Sequence, residues 1–127
     1  MDDRIREETE LLRGQYPDLV VRDRWIWLPS YRLVEGWEPL ETPVAFFVRE
    51  GYPGISPYGI YVPTGITFNG KTPDNYKEPA KPPPPFDGAW GVFSWEASSW
   101  NPSADPRRGH NLVNWVAGFI DRFKEGI

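Results

Sequence analysis

The sequence predicts an α+β fold in which a helix at each end flanks a four-stranded antiparallel meander. Two patterns predict the secondary structure: four short strand-like runs between residues 19 and 62, and a helical apolar stripe in residues 112–123. The third observation is the count of 15 prolines, which excludes an all-helical protein because proline breaks helix interiors. With 127 residues and 16 % aromatic residues, we expect residues 1–127 to form a single domain with its own core.

The first predicted element is a helix that Asp2 or Asp3 caps and that Gly14 ends. Its acidic first turn suits the positive end of the helix dipole. The pattern divides the helix into an apolar and a charged side: Ile5, Leu11 and Leu12 against Glu7, Glu8, Glu10 and Arg13. Because the apolar stripe is narrow, we expect this helix to cover one side of the sheet.

Four strand-like runs follow, at residues 19–22 (LVVR), 24–28 (RWIWL), 43–48 (PVAFFV) and 59–62 (GIYV). Short turns between consecutive runs favour an antiparallel meander, since parallel pairing requires crossover helices. The strand pattern disappears from Thr64 to Asp87, where the prolines at 82–85 indicate polyproline II structure. We expect a long loop there, which either covers the domain's own surface or binds an aromatic groove on a partner, and the first interpretation is favoured.

The last predicted element is a helix that begins near Gly109 or His110 and stops at Gly126. Its apolar residues recur every three or four positions, which predicts one buried face: Leu112, Trp115, Val116, Phe119 and Phe123.

Composition and charge exclude several classes of function. The formal net charge is −4 and no run of basic residues exceeds two, so the electrostatic footprint of a nucleic-acid-binding protein is absent. Apolar runs are too short to span a membrane, and the charged N-terminus lacks the apolar core of a signal peptide, so we expect a cytoplasmic protein. With no cysteine and one histidine, neither a disulfide nor a metal centre is expected, and no cofactor motif is present.

Three motifs, in this order, resemble the ubiquitin-conjugating (UBC) superfamily. Residues 51–53 (GYP) followed by Pro57 resemble the Tyr-Pro…Pro turn between the third and fourth strands of that fold. Residues 90–94 (WGVFS) resemble the extended segment that ends at the family's nucleophile, and residues 100–102 (WNP) resemble the Trp-Ser-Pro before its next helix. The resemblance covers residues 11–123 and narrows to small bacterial members found in operons with ubiquitin-like proteins and an activating enzyme.

The resemblance implies a function for Ser94, which stands where the family carries its catalytic cysteine. An adenylating activating enzyme would pass the carboxy-terminus of a ubiquitin-like protein to this hydroxyl, and the resulting oxyester would go to a target amine. A hydroxyl needs a general base or precise positioning to react, and His110 resembles the downstream histidine of bacterial relatives. Two alternatives stay open: an inert variant that only binds the ubiquitin-like protein or the activating enzyme, and a serine that replaces a native cysteine.

Neighbouring residues extend the predicted site. Glu96 shares the face of Ser94 if the backbone is extended, and its carboxylate would orient the hydroxyl or an incoming lysine; a solvated surface charge is the alternative. Ser98 and Ser99 are alternative candidate nucleophiles in the same loop. Because successive side chains of an extended chain point in opposite directions, an exposed Ser94 predicts a partly buried Trp95. The family's His-Pro-Asn motif is missing, and residues 68–70 (FNG) lie far upstream, so the oxyanion-stabilising role has no assigned residue. A serine-hydrolase Gly-x-Ser-x-Gly elbow is also absent.

Overall fold

The computed structural model describes residues 3–97 and 99–127; the predicted Asp2 cap and the candidate Ser98 lie outside these residues. The elements are α1 (Asp3–Arg13), β1 (Val20–Arg22), β2 (Trp25–Arg32), β3 (Trp37–Glu38), β4 (Glu41–Phe47), β5 (Tyr58–Pro63), β6 (Thr67–Phe68), β7 (Tyr76–Lys77), β8 (Trp90–Phe93), α2 (Leu112–Ala117) and α3 (Phe119–Lys124). The fold is therefore α+β, with an antiparallel sheet whose strands lie between α1 and the two C-terminal helices in the sequence.

The main sheet has six strands in the order β1-β2-β4-β5-β8-β7, and every neighbouring pair is antiparallel. The four predicted strands are present as β1, β2, β4 and β5. The predicted uninterrupted loop from Thr64 to Asp87 is wrong, because it contains β6, which pairs with β3, and β7, which pairs with β8. Strands of two residues are too short to show alternation, so only their pairing partners reveal them.

The C-terminal helix is two short helices rather than one. It begins at Leu112, not near Gly109 or His110, because the Asn111 side chain accepts from the backbone N–H of Asn114 and caps the first turn. His110 instead pairs through its backbone with Asn101. Gly118 then separates α2 from α3. The predicted apolar face is nevertheless buried in full.

One face of the sheet and all three helices enclose the main core. Ile26 and Leu28 of β2 point into this core, together with Phe46 of β4 and Phe93 of β8. Aromatic rings dominate its centre, and many of them meet edge to face, for example Phe46 and Phe119 at 6.0 Å.

The Pro-rich segment covers the opposite face of the sheet. Trp25 and Trp27 alternate with the core residues of β2 and belong to a second cluster with Phe86 and Trp90. The ring of Phe86 lies 5.1 Å from that of Trp27, and Arg22 donates to the carbonyl of Pro85. The stiff segment thus packs on the domain's own surface, as the favoured interpretation of the sequence predicts.

Glu8 overturns the prediction that all acidic residues of α1 face solvent. Its side chain is fully buried, whereas Leu11 of the predicted apolar side is only half-buried. The carboxylate accepts from the Arg4 guanidinium (2.7 Å), the Tyr52 hydroxyl and the backbone N–H of Leu112 (2.8 Å). A buried carboxylate needs such partners, and here they join α1 to the 51–54 turn and to the start of α2.

Tyr61 makes stability dependent on pH in the alkaline range. It is buried in the second cluster against Trp25, and burial, followed by the nearby Tyr58, raises its pKa from 10.0 to about 12. Folding thus disfavours the phenolate, so this contribution to stability is complete below pH 10 and is lost as the pH rises towards 12. We expect the contribution of Tyr61 to the unfolding free energy, measured by urea titration, to fall by at most about 2–3 kcal/mol across this range. Tyr31 and Tyr76, whose pKa values burial also raises, add to the decline. Tyr61→Phe should flatten the decline; an unchanged slope would contradict the assignment to Tyr61.

Candidate functional site

Ser94 follows the last residue of β8 and its side chain is exposed. The backbone N–H of Ser94 donates to the carbonyl of Asn75 at 3.1 Å, which extends the β7–β8 ladder by one residue pair. Among residues 3–97 and 99–127, no side chain forms a hydrogen bond with the Ser94 hydroxyl, so the oxygen is open to solvent and to an incoming group.

Asn75 is the site residue that sequence reasoning missed. Residues 73–75 (PDN) are a turn signal within the segment predicted as a loop, and Asn75 adopts a left-handed φ of 58°. The register Tyr76↔Phe93 brings it opposite Ser94. Its side-chain amide donates to the carbonyl of Ile127 at 3.3 Å, which leaves the second amide hydrogen for another acceptor. Only the pairing of β7 with β8 could have revealed this neighbour.

Asn69, the central residue of the 68–70 segment, lies in a different part of the fold. Its backbone N–H donates to the carbonyl of Gly36 at 2.7 Å, beside the β3–β6 pair. No hydrogen bond in the described part of the chain joins Asn69 to Ser94.

Tyr76 and Glu78 fasten β7 to the rest of the domain. The Tyr76 hydroxyl and the backbone N–H of Gly65 both donate to Oε1 of Glu78, at 2.7 and 2.8 Å. The Gly65 hydrogen bond, followed by that of Tyr76, lowers the pKa of Glu78, and burial above all raises the pKa of Tyr76. These contacts hold the strand that positions Asn75.

The chain after Ser94 turns back onto the domain. The carbonyl of Trp95 accepts from the backbone N–H of Gly59 at 2.8 Å, and the backbone N–H of Ala97 donates to Ser56 Oγ at 3.3 Å. Trp95 is half-buried while Ser94 is exposed, which confirms the predicted alternation.

Glu96 has a partner other than Ser94. Its carboxylate forms an ion pair of 2.8 Å with Arg49, whose guanidinium also donates to the carbonyl of Ser56 at 3.1 Å. In the described residues no hydrogen bond joins Glu96 to the Ser94 hydroxyl. In this conformation Glu96 ties the loop to the connection between β4 and β5 instead of orienting the candidate nucleophile.

Trp100 joins two of the three sequence motifs. Its indole N–H donates to the carbonyl of Pro53 at 3.0 Å, and its ring lies 6.1 Å from that of Tyr52. The 51–53 turn and the 100–102 segment are therefore in contact, although they are distant in the sequence.

His110 stacks on Trp100 with ring centroids 5.1 Å apart. Its Nδ1 accepts from the backbone N–H of Asn101 at 2.7 Å, so the neutral ring carries its proton on Nε2. Within the described ranges no hydrogen bond joins His110 to Ser94. The two predicted catalytic residues lie on the same loop system without direct contact, and the catalytic role of His110 stays a prediction.

A cleft of about 140 Å³ opens beside this loop. Its walls are largely aromatic: Trp95, Trp100, His110 and Trp115, with Ala97 and Ser99 beside them. Arg122 of α3 lies over the Trp95 ring at 4.4 Å, outside the cleft lining.

Comparisons with known proteins identify no relative: no protein-family model, curated protein or solved structure matches the chain. Within residues 3–97 and 99–127, no three acidic or histidine side chains converge as a metal site would require. No helix among these residues combines the length and apolar character needed to cross a membrane.

Proposed function

We propose that the protein is a ubiquitin-conjugating-like acyl carrier that holds the carboxy-terminus of a ubiquitin-like protein on Ser94. The observation that carries the proposal is the exposed Ser94 hydroxyl at the end of β8, free of side-chain partners among the described residues and beside Asn75. The sequence resemblance to the UBC superfamily is the reason for identifying the acyl group as the carboxy-terminus of a ubiquitin-like protein. The contact between the 51–53 turn and Trp100 supports that resemblance.

Loading is a transesterification. The Ser94 oxygen attacks the carbonyl carbon of the thioester that joins the ubiquitin-like protein to a cysteine of the activating enzyme. A carbon–oxygen bond forms, the carbon–sulfur bond breaks, and the hydroxyl proton leaves with the sulfur. In the second step a target amine attacks the oxyester carbonyl carbon, a carbon–nitrogen bond forms and the carbon–oxygen bond to Ser94 breaks. The proton that the amine nitrogen loses goes to the Ser94 oxygen.

Asn75 is the proposed oxyanion donor in both steps. Its backbone carbonyl accepts from the Ser94 N–H, and its side-chain amide keeps one hydrogen that the bond to Ile127 does not use. In the proposed mechanism this hydrogen is donated to the oxyanion of the tetrahedral intermediate. His110 is the proposed general base, which accepts the proton of the Ser94 hydroxyl. To accept a proton on Nε2, its neutral ring must first move its own proton to Nδ1, which breaks the hydrogen bond from Asn101.

A second candidate function is an inert binding module for a ubiquitin-like protein or its activating enzyme. One observation favours it: no base among the described residues contacts the Ser94 hydroxyl, which leaves a weak nucleophile unactivated in this conformation.

Loading with a cognate activating enzyme, its ubiquitin-like protein and ATP separates the two functions. For the carrier, we expect an adduct that resists thiols, is cleaved by mild base and is absent from Ser94→Ala. Because the chain has no cysteine, Ser94→Cys introduces its single thiol and should convert the adduct to a thiol-sensitive thioester. Intact mass spectrometry before and after each treatment reads out the linkage.

Ser99→Ala is the matched control, since Ser99 is an exposed serine of the same loop and should load like the wild type. An adduct that survives Ser94→Ala but is lost in Ser99→Ala would show that Ser99, and not Ser94, is the nucleophile. Stable binding of the partner proteins without any adduct would support the binding module, and an adduct on Ser94→Cys alone would indicate that serine replaces a native cysteine.

A further inference from the structure

The pairing of β7 with β8 brings a lysine close to Ser94. Lys77 lies directly opposite Val92, and Val92 precedes Ser94 by two residues along the chain. Side chains directly opposite each other in an antiparallel pair share one face of the sheet, and so do residues two apart on an extended chain. The register therefore places Lys77 and Ser94 on the same side of the sheet.

The burial of the residues around Ser94 supports this direction. Phe93 is fully buried in the main core, whereas Val92 belongs to the second cluster on the opposite face. Trp95 packs against the main core again. Because Phe93 and Trp95 both face the main core, the exposed Ser94 between them lies on the face of Val92.

The residues of β7 show the same alternation. Tyr76 packs against the main core, with its ring 4.8 Å from that of Phe93, and the next residue, Lys77, is exposed. Lys77 thus points to the opposite face, diagonally across from Ser94. Diagonal neighbours of an antiparallel pair are roughly 7–8 Å apart, which a long side chain spans.

The Lys77 side chain has no competing partner nearby. Among residues 3–97 and 99–127, no hydrogen bond or ion pair engages its ammonium group. The adjacent Glu78 carboxylate accepts instead from the Tyr76 hydroxyl and the Gly65 N–H, and these contacts hold β7 in place. Lys77 therefore combines a fixed backbone with a mobile amine beside the candidate nucleophile.

We propose that Lys77 is an intramolecular acceptor of the acyl group carried on Ser94, so that the protein conjugates the ubiquitin-like protein to itself. The identity of this cargo rests on the proposed carrier function. Lys77 Nζ, as the neutral amine, attacks the ester carbonyl carbon, a carbon–nitrogen bond forms, and the carbon–oxygen bond to Ser94 breaks. The proton that the nitrogen loses goes to the Ser94 oxygen. Because the amine is held beside the ester, the step is unimolecular and competes with any external amine.

Acyl transfer from a thiol at position 94 tests this juxtaposition without a ubiquitin-like protein. Ser94→Cys introduces the single thiol of the chain, which takes an acetyl group from S-acetyl-N-acetylcysteamine by thiol–thioester exchange. Transfer to Lys77 leaves an amide that survives dithiothreitol, and peptide mass spectrometry locates it. We expect Lys77 in this variant to be acetylated at least about tenfold faster than Lys77 in the wild-type protein.

Lys81 is the matched internal control. It is exposed and follows Ala80, whose backbone N–H donates to the carbonyl of Trp90 at the far end of β8. Trp90 is four residues from Ser94, about 13 Å along an extended strand, which exceeds the reach of a lysine side chain. In Ser94→Cys, Lys77 should therefore be acetylated at least about tenfold faster than Lys81. Equal rates at the two lysines, or equal rates with and without the thiol, would overturn the proposal.

A cognate activating enzyme, its ubiquitin-like protein and ATP test the same transfer with the full cargo. The base-labile adduct of the wild type should convert with time to one that resists mild base, and Lys77→Arg, which keeps the charge without the amine, should retain the base-labile ester. An ester on Ser94 that never passes to Lys77 would overturn the self-acceptor proposal and leave the carrier function intact. No adduct at all, together with acetyl transfer in Ser94→Cys, would count against the carrier function and not against Lys77.

Discussion

Replacing Glu8 with alanine is expected to destabilise the fold by about 3–5 kcal/mol, because removal of one partner from a buried charged network leaves the others without compensation. The carboxylate is fully buried and bridges three parts of the chain. Without it, the Arg4 guanidinium loses its counter-charge, and the Leu112 N–H at the start of α2 loses its acceptor. The Tyr52 hydroxyl loses the same oxygen.

Urea unfolding followed by tryptophan fluorescence measures this effect. Glu7→Ala is the matched control, because Glu7 precedes Glu8 on the same helix but is exposed, and its replacement should change the free energy of unfolding by no more than about 0.5 kcal/mol. Glu8→Gln should have an intermediate effect, since one amide oxygen can still accept while the charge is lost. A loss below about 1 kcal/mol for Glu8→Ala would show that the network contributes little.

Gly91→Ala is expected to destabilise the domain by about 2–3 kcal/mol through overpacking, and to detach β7 from β8. A Cβ added at Gly91 would lie 2.2 Å from the hydroxyl oxygen and 2.5 Å from Cζ of Tyr76, far inside contact distance. The Tyr76 ring, packed on Phe93 at 4.8 Å, must leave its place. Because β7 positions Asn75, the hydrogen bond from Ser94 to Asn75 should be lost with it.

A double-mutant cycle with Tyr76→Ala tests the proposed cause. In the Tyr76→Ala background the added methyl group has no ring to clash with. Gly91→Ala should therefore lower the free energy of unfolding by less than about 1 kcal/mol in that background. Amide hydrogen exchange at Ser94 should accelerate in Gly91→Ala while exchange in β2 and β4 stays slow. Strictly additive free energies in the cycle would refute the steric explanation.

Periodicity carried most of the fold prediction. The run at residues 24–28 predicted a strand, and the structure distributes its alternate side chains between the two clusters, with Ile26 and Leu28 in one and Trp25 and Trp27 in the other. For an exposed Ser94 the two-residue period predicted a partly buried Trp95, and the structure has Trp95 half-buried.

Glu8 and Asn75 show where such reasoning stops. From the sequence, Glu8 was expected to lie on the charged side of α1. Its burial depends on Arg4 one turn away and on partners from the 51–54 turn and from α2. Asn75 reads as part of a turn in the sequence, and its position opposite Ser94 depends on the pairing of the two-residue strand β7 with β8.

The amino-acid pattern alone determined the class of the domain and the buried face of its C-terminal helical segment, because each depends on a local repeat of apolar and polar residues. Tertiary structure decided which groups meet near Ser94: the Asn75 backbone beside the serine, Arg49 paired with Glu96, the Asn101 N–H on His110, and the aromatic cleft. Contacts between segments far apart in the chain follow from strand register and loop packing, which no local repeat encodes.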